Sequence, residues 1–108
     1  EMSIRGGYNI YPREIEEMFY KHPSVMEVAI IGLPYSVLGE VSCAVIKLRS
    51  GCVEDEESMK AYIKGKVADY KVPDRIVFVE ELPVTPSGKI KKVALREMME
   101  EQLKSTLR

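Results

Sequence analysis

The chain has 108 residues, of which 45% are hydrophobic and 31% charged, and its formal net charge is −1. That length suits one domain and is too short for two. The composition is that of a chain that folds around a hydrophobic core and stays soluble. Because there is no basic surplus, the sequence gives no support for a nucleic-acid partner. No apolar run approaches the ~20 residues that cross a bilayer, and no signal peptide is visible, so we expect a cytoplasmic protein with no transmembrane segment.

The chain begins at Glu1 in a sequence that reads as already under way. We therefore expect residues 1–108 to be one domain excised from a longer protein. Its two cysteines, Cys43 and Cys52, have no Cys or His neighbours at zinc-ligand spacing. Cys43 falls in an apolar run and is expected to be buried. A reduced pair is the simpler interpretation, and a disulfide between them stays open.

The first elements in chain order are a hairpin and a helix. Residues 3–10 predict a small β-hairpin that turns at Gly6-Gly7. Pro12 then begins a helix, since its missing N–H costs nothing in the first turn. That helix should end at His22, because a residue before proline avoids the α conformation. The side chains expected on its inner face are Ile15, Phe19 and Met18.

Two strands are predicted next. Residues 25–33 and 41–48 are apolar runs rich in β-branched residues, which is typical of strands buried on both faces. Pro34 is expected to end the first of them, and residues 33–40 to form the connection. Because the connection is short, the two strands are predicted to be antiparallel neighbours.

The second half predicts a helix, a third strand, a loop and a last helix. The helix should begin near Asp55 and continue through Gly65 to Val72. A strand at 75–80 and a Pro/Thr/Ser/Gly loop at 82–89 follow. The inward residues of the two helices are expected to be Met59, Ile63 and Val67 in the first, and Leu95, Met98, Met99 and Leu103 in the second. The predicted fold is α+β: a three-stranded sheet covered by helices, with a small N-terminal β-hairpin.

The loop at 82–89 presents a lysine. Pro83 and Pro86 restrict the backbone, and Gly88 permits a turn that other residues resist. Lys89 at the end of the loop offers a mobile cation suited to holding a carboxylate and a phosphate together. Ser-Gly-Lys alone favours an ordinary solvated turn lysine. It is not a phosphate-binding P-loop, because the upstream glycine and the following Ser or Thr are absent.

Two longer runs carry a resemblance to a known family. Leu-Pro-Val-Thr-Pro-Ser-Gly-Lys at 82–89, followed by Ile and two lysines, resembles the last core motif of the adenylate-forming enzymes. Arg-Gly-Gly-Tyr-Asn-Ile-Tyr-Pro at 5–12 is similar to the motif just after that family's interdomain hinge. The segments at 22–34 and 70–73 also match, so the resemblance covers essentially the whole chain. By itself, the run at 5–12 would fit an ordinary hairpin with a Gly-Gly turn as well.

The resemblance implies roles for particular residues. Lys89 would contact the acyl carboxylate and the nucleotide while acyl-AMP forms, supported by the loop residues Ser87 and Gly88. Gly7 and Tyr8, with Gly6 as loop support, would line the channel for the pantetheine arm of CoA. It also implies ATP, CoA and Mg2+ as ligands, bound mainly through a large N-terminal domain on which this small domain closes as a rotating lid. No metal site is expected in this chain.

The form Gly-Gly-Tyr-Asn-Ile-Tyr-Pro is typical of acyl-CoA synthetases that act on fatty or aromatic acids. The expected enzyme joins such an acid to CoA through acyl-AMP, and the excised domain alone is expected to be inactive. One alternative keeps the fold and changes the acceptor to a carrier protein, as in acyl-AMP ligases or peptide-synthetase modules. Another is a non-catalytic, ferredoxin-like interaction module. Acetylation of Lys89 is a further expectation, since it would remove the cation.

Two polar residues are given structural roles. His22, which is the only histidine, lies at a helix end before proline and is expected to cap or pack. Glu40 is expected to be a structural carboxylate at the start of a strand.

Overall fold

The computed structural model describes residues 2–4, 8–10, 12–36 and 39–106, and the side chains of residues 12–33 and 41–102. These residues form an α+β fold, as predicted. The elements in chain order are β1 (Met2–Ile4), β2 (Tyr8–Ile10), α1 (Pro12–Tyr20), β3 (Val25–Ser36), β4 (Gly39–Leu48), α2 (Glu56–Lys64), a 3-10 turn (Asp69–Lys71), β5 (Arg75–Phe78) and α3 (Lys92–Thr106).

The strands form two sheets. β1 and β2 pair antiparallel as the predicted hairpin, with Ile4 opposite Tyr8. The main sheet has the order β3-β4-β5, with β3 antiparallel and β5 parallel to β4. A parallel pair needs a long crossover, and α2 with the 3-10 turn supplies it between β4 and β5. β3 therefore lies at one edge of the main sheet.

Both faces of the main sheet are covered. On one face α1 and α2 pack against alternate residues of the strands, and on the other face α3 and the loop that precedes it do the same. Burial on both faces explains why β3 and β4 read as continuous apolar runs rather than as alternating ones. The buried residues of the first face are Ile15, Phe19, Val25, Val28, Ile30, Ala44, Ile46, Met59, Ile63 and Ile76, and those of the second are Ala29, Ile31, Leu33, Cys43, Val45, Leu82, Leu95 and Met99.

The prediction that Pro34 ends the first strand was wrong. β3 continues through Pro34 to Ser36, and β4 begins at Gly39, so much of the expected connection is strand. Pro34 stands opposite Glu40, next to an irregularity in the register between positions 34 and 36. A proline is tolerated here because β3 is an edge strand and its partner register is already irregular at this point.

The second helix is shorter than predicted. Asp55 caps it through its side chain, which accepts a hydrogen bond from the backbone N–H of Ser58. It ends at Lys64 with Gly65 as its C-cap, and the chain continues through a 3-10 turn to Val72. Glycine is a poor helix former, so the helix stops where its propensity is lowest.

The last helix carries a narrower buried stripe than predicted. Leu95 and Met99 are buried, whereas Met98 is 37% exposed, so its inward assignment was wrong. Residues four apart lie on one face of a helix, and position 98 lies at the margin of the face that 95 and 99 define. The side chain of Leu103 lies outside the described residues.

The cysteines and the histidine take structural positions. Cys43 and Cys52 are both free thiols, and burial raises the pKa of Cys43 to about 12. Nδ1 of His22 accepts a hydrogen bond of 3.0 Å from the backbone N–H of Ser24, and the ring packs edge-on against Tyr62 with centroids 4.6 Å apart. His22 is thus a packing and turn residue. The side chain of Glu40 lies outside the described part.

Glu56 links α2 to β5 and should make stability depend on pH. Its carboxylate accepts hydrogen bonds from the Ile76 backbone N–H at 2.9 Å and from Arg75 Nε at 3.0 Å, and the Ile76 contact chiefly lowers its pKa. Because the pKa of Glu56 is lower in the folded state, its carboxylate stabilises the fold at pH values above the ordinary glutamate pKa of about 4.3. This stabilisation is lost as the pH falls through the folded-state pKa.

We therefore expect Glu56→Gln to lower the free energy of unfolding near neutral pH. The difference from wild type should vanish in acid, because both side chains are then neutral. Urea titrations from about pH 6 to about pH 3 measure this. Glu57→Gln, at the next and exposed position, is the control. A constant difference between Glu56→Gln and wild type at every pH would contradict the assignment.

Candidate functional site

The loop between β5 and α3 is closed at its base by backbone hydrogen bonds. The N–H of Lys91 donates to the carbonyl of Pro83 at 2.8 Å, and Val84 and Ile90 form an isolated antiparallel bridge. Leu82 is buried against the second face of the sheet and anchors the N-terminal arm of the loop. The loop is thus a short, closed hairpin that projects from a fixed base.

The tip of that loop is held by Thr85. Its backbone N–H donates to the carbonyl of Lys89 at 2.7 Å, and its carbonyl accepts from the N–H of Gly88 at 2.8 Å. Its hydroxyl accepts from the N–H of Lys89 at 3.1 Å and lies 2.9 Å from the hydroxyl of Ser87. Gly88 has φ of 90°, in the left-handed region that favours glycine. These contacts set the backbone position of Lys89.

The side chain of Lys89 is exposed. Within the part of the chain that the structure describes, it takes part in no salt bridge and its ammonium donates no hydrogen bond. A fixed backbone with an uncommitted ammonium is the arrangement needed to present one cation to an anionic ligand.

Lys89 is one of the residues that line an open cleft of about 840 Å³ between α1, the outer edge of β3 and the loop. Three cationic side chains and two carboxylates line it, together with the ring of Tyr20. The lining residues are Pro12, Arg13, Glu16, Tyr20, Glu27, Val28, Gly88, Lys89, Ile90 and Lys92. One carboxylate is already engaged, because Glu16 lies 2.7 Å from the ammonium of Lys92. Arg13, Lys89 and the second carboxylate, Glu27, remain, so the cleft lining keeps a surplus of one positive charge, which favours an anion.

The model of the AMP-binding enzyme C-terminal domain matches residues 14–89 of this chain. The chain belongs to that family. The match ends at Lys89, so it includes the whole proline-rich loop. The predicted likeness to the carboxy-terminal domain of adenylate-forming enzymes is confirmed.

Acyl-CoA ligases are among the relatives of this chain. The mitochondrial medium-chain acyl-CoA ligase of Rattus norvegicus is 52% identical over 104 residues, which cover 96% of this chain and 17% of the ligase. This chain therefore spans about a sixth of that relative's length. The comparison supports membership of a ligase family and leaves the activity of the whole protein to proposal.

Solved structures share the fold. A fatty acyl-CoA synthetase of Mycobacterium tuberculosis matches with a TM-score of 0.84 and 38% identity, over 92% of this chain and 20% of that protein. ATP-bound MatB from Rhodopseudomonas palustris matches with a TM-score of 0.83 and 36% identity, over 91% of this chain and 20% of that protein. Adenylate-forming enzymes with this domain are thus known with ATP bound.

The predicted site residues of this AMP-binding-enzyme domain fall into two groups. Ser87, Gly88 and Lys89 come together in the loop as expected. Gly6 and Gly7 lie outside the described residues, and of Tyr8 the structure describes only its backbone at the start of β2. The roles of Lys89 in acyl-AMP formation and of Gly7 and Tyr8 in the pantetheine channel stay predictions.

Two residues of this site were missed by the sequence analysis as functional. Thr85 holds the tip, and the sequence carried a weak sign of this, since Ser and Thr hydroxyls in turns can hydrogen-bond nearby backbone groups. Glu16 reaches the end of the loop, and no local sequence pattern indicates this contact.

Among the described residues, no group of three or more His, Cys, Asp or Glu side chains is placed to hold a metal ion. No helix in the described ranges is long and apolar enough to cross a membrane.

Gly88→Ala should test whether the loop shape depends on its left-handed residue. A Cβ there would meet nothing within 4 Å, so the cost is purely conformational, about 1–2 kcal/mol. We expect a loss of that size in urea denaturation of the domain. Gly65→Ala is the matched control, since its Cβ would also be unobstructed but its φ is −87°. That change should leave stability equal or raise it by about 0.4–1 kcal/mol. Equal losses in both variants would contradict the proposed role of Gly88.

Proposed function

We propose that this chain is the mobile C-terminal domain of an acyl-CoA synthetase. The full enzyme would activate a fatty or aromatic carboxylic acid with ATP to acyl-AMP and then transfer the acyl group to CoA. Membership of the family and the acyl-CoA ligases among its relatives support this proposal. The observation that carries it is the closed loop, which fixes the backbone of Lys89 and leaves its ammonium exposed.

In the first step a carboxylate oxygen attacks the α-phosphorus of ATP, and the bond from that phosphorus to pyrophosphate breaks. Two anions approach each other, so the repulsion between them is a large part of the barrier. The ammonium of Lys89 contacts both the carboxylate and the nucleotide and offsets that repulsion. At ~4 Å and an effective dielectric near 20, one such contact has a Coulomb energy of roughly 4 kcal/mol.

In the second step the thiol of CoA attacks the acyl carbonyl and AMP leaves. The hairpin segment with Gly7 and Tyr8 would then line the pantetheine channel, after the domain has rotated away from its first pose. Magnesium bound with ATP would neutralise part of the triphosphate charge. We assign ATP and magnesium chiefly to the larger domain with which this chain would close.

The proposal is tested by two assays on the full-length protein. Pyrophosphate release that depends on a carboxylic acid reports the first step, and thioester formation with CoA reports the second. A panel of fatty and aromatic acids sets the substrate class. The proposal expects activity in both assays and none from the 108-residue domain alone. Acyl-AMP formation with transfer only to a carrier protein would contradict the CoA assignment, and acyl-AMP made by the isolated domain would contradict the division of the site.

A further inference from the structure

A partly buried carboxylate links α1 to the end of the Lys89 loop. Oε2 of Glu16 lies 2.7 Å from the ammonium of Lys92, which is the first residue of α3 and stands three residues after Lys89. The same oxygen accepts a hydrogen bond of 2.8 Å from the backbone N–H of Ile30 in β3. One oxygen thus connects a helix, the edge strand and the end of the loop.

The bond to Ile30 fixes the carboxylate in place. β3 is an edge strand, so the N–H of Ile30 needs a partner outside the sheet. Glu16 supplies it, and its side chain is only 16% exposed. A carboxylate held by a backbone donor loses little additional freedom when it pairs with a lysine, which makes the contact more effective than that of two exposed flexible chains.

The position of Lys92 is unfavourable for α3 itself. A helix N-terminus carries partial positive charge and disfavours a cation in its first turn. No acidic residue stands in the first turn of α3 to offset this. The Glu16 carboxylate provides the missing negative charge from another element. The pair therefore serves the junction of loop and helix rather than the stability of α3 alone.

We propose that Glu16 is a positioning residue for Lys89: by pairing with Lys92 it fixes the C-terminal end of the loop against α1. This inference rests on the proposed function. Glu16 touches no reacting atom and acts through Lys92. Its loss lets the loop end move, so that the Lys89 ammonium spends less time where acyl-AMP forms. Transfer of the acyl group to CoA, which does not use this loop, is unaffected.

The test uses the full-length synthetase and measures the two half-reactions separately. Glu16→Gln keeps an oxygen for the Ile30 N–H and removes the charge, and Lys92→Met keeps the stem and removes the ammonium. Each should slow acyl-AMP formation by about ten-fold, and the double variant should be no slower than either single one, since they remove the same contact. Lys92→Arg should keep most of the rate. Thioester formation from supplied acyl-AMP should change by less than about two-fold in all of them.

Glu14→Gln is the matched control. Glu14 lies on the same helix and pairs with Lys71 at 3.0 Å, away from the loop. It should leave both half-reactions unchanged. The inference is overturned if the Glu16 and Lys92 variants form acyl-AMP at the wild-type rate, if their effects add, or if both half-reactions slow equally, as a general loss of structure would cause. Lys89→Ala, measured in the same assays, distinguishes failure of this inference from failure of the proposed function. If Lys89→Ala slows acyl-AMP formation and Glu16→Gln does not, only this inference fails. If neither variant slows acyl-AMP formation, the proposed function fails.

Discussion

Replacing Lys89 with alanine in the full-length protein is expected, under the proposed function, to slow acyl-AMP formation by about 100- to 1000-fold, the usual effect of losing one well-placed charge stabiliser. The loop holds this residue by its backbone, so the alanine variant should keep the loop conformation and lose only the cation. Pyrophosphate release under single-turnover conditions measures the effect. The transfer of acyl groups from supplied acyl-AMP to CoA should stay close to the wild-type rate.

The neighbouring Lys91→Ala variant is the control for the Lys89 prediction. Lys91 is also exposed, and its backbone N–H rather than its ammonium closes the loop. Its side chain should be dispensable for both half-reactions. An equal loss of activity in the two variants would show that general positive charge, and not one placed ammonium, matters here.

Phe19→Ala is expected to cost about 3–5 kcal/mol of folding free energy. Phe19 is fully buried, with 0% exposure, in the core between α1 and the sheet. Its ring packs at a tilt to that of Tyr62, with centroids 6.3 Å apart. Its removal leaves a large cavity that rigid neighbours in two elements cannot fill. Because domains of this size are stable by only about 5–15 kcal/mol, the variant should unfold at much lower urea concentration.

Val53→Ala is the control for the core prediction. Val53 is 90% exposed, so its truncation should change stability by less than about 0.5 kcal/mol. Urea denaturation of both variants, followed by circular dichroism, gives the comparison. A loss in Phe19→Ala no larger than in Val53→Ala would contradict the placement of α1 on the sheet.

The main strands could be predicted because burial on both faces requires a continuous run of apolar residues, which is visible in the local sequence. The apolar runs at 25–33 and 41–48 are read directly as β3 and β4. The prediction that β3 ends at Pro34 was wrong because a proline ends a central strand but not an edge strand. Which strand lies at the edge depends on the sheet order. The end of α2 was missed for a related reason. Gly65 disfavours a helix, but whether packing outweighs that cost is decided by tertiary contacts.

In the candidate site, too, some features follow from the local sequence and others arise only from tertiary contacts. The shape of the loop that carries Lys89 could be predicted because it is specified by residues within a few positions of each other, with prolines and a glycine that restrict the backbone; the catalytic role of Lys89 stays a prediction. Glu16 could not be predicted, because its partners Ile30 and Lys92 come from other elements and meet it only in the folded chain. The hydrogen bonds of Thr85 fall between these cases. Their donors are local, yet their role in holding the lysine is visible only in three dimensions.

The most direct test of the central claim restores the amine chemically at position 89. Lys89→Cys in the full-length protein, with Cys52→Ser as background, is treated with 2-bromoethylamine to rebuild a lysine-like side chain. Cys43 should not react, because it is buried and its thiol pKa is raised to about 12. Wild-type protein treated in parallel controls for other thiols. We predict that the cysteine variant loses acyl-AMP formation and that alkylation restores much of it. Full activity of the untreated cysteine variant, or no recovery once the amine is restored, would contradict the claim.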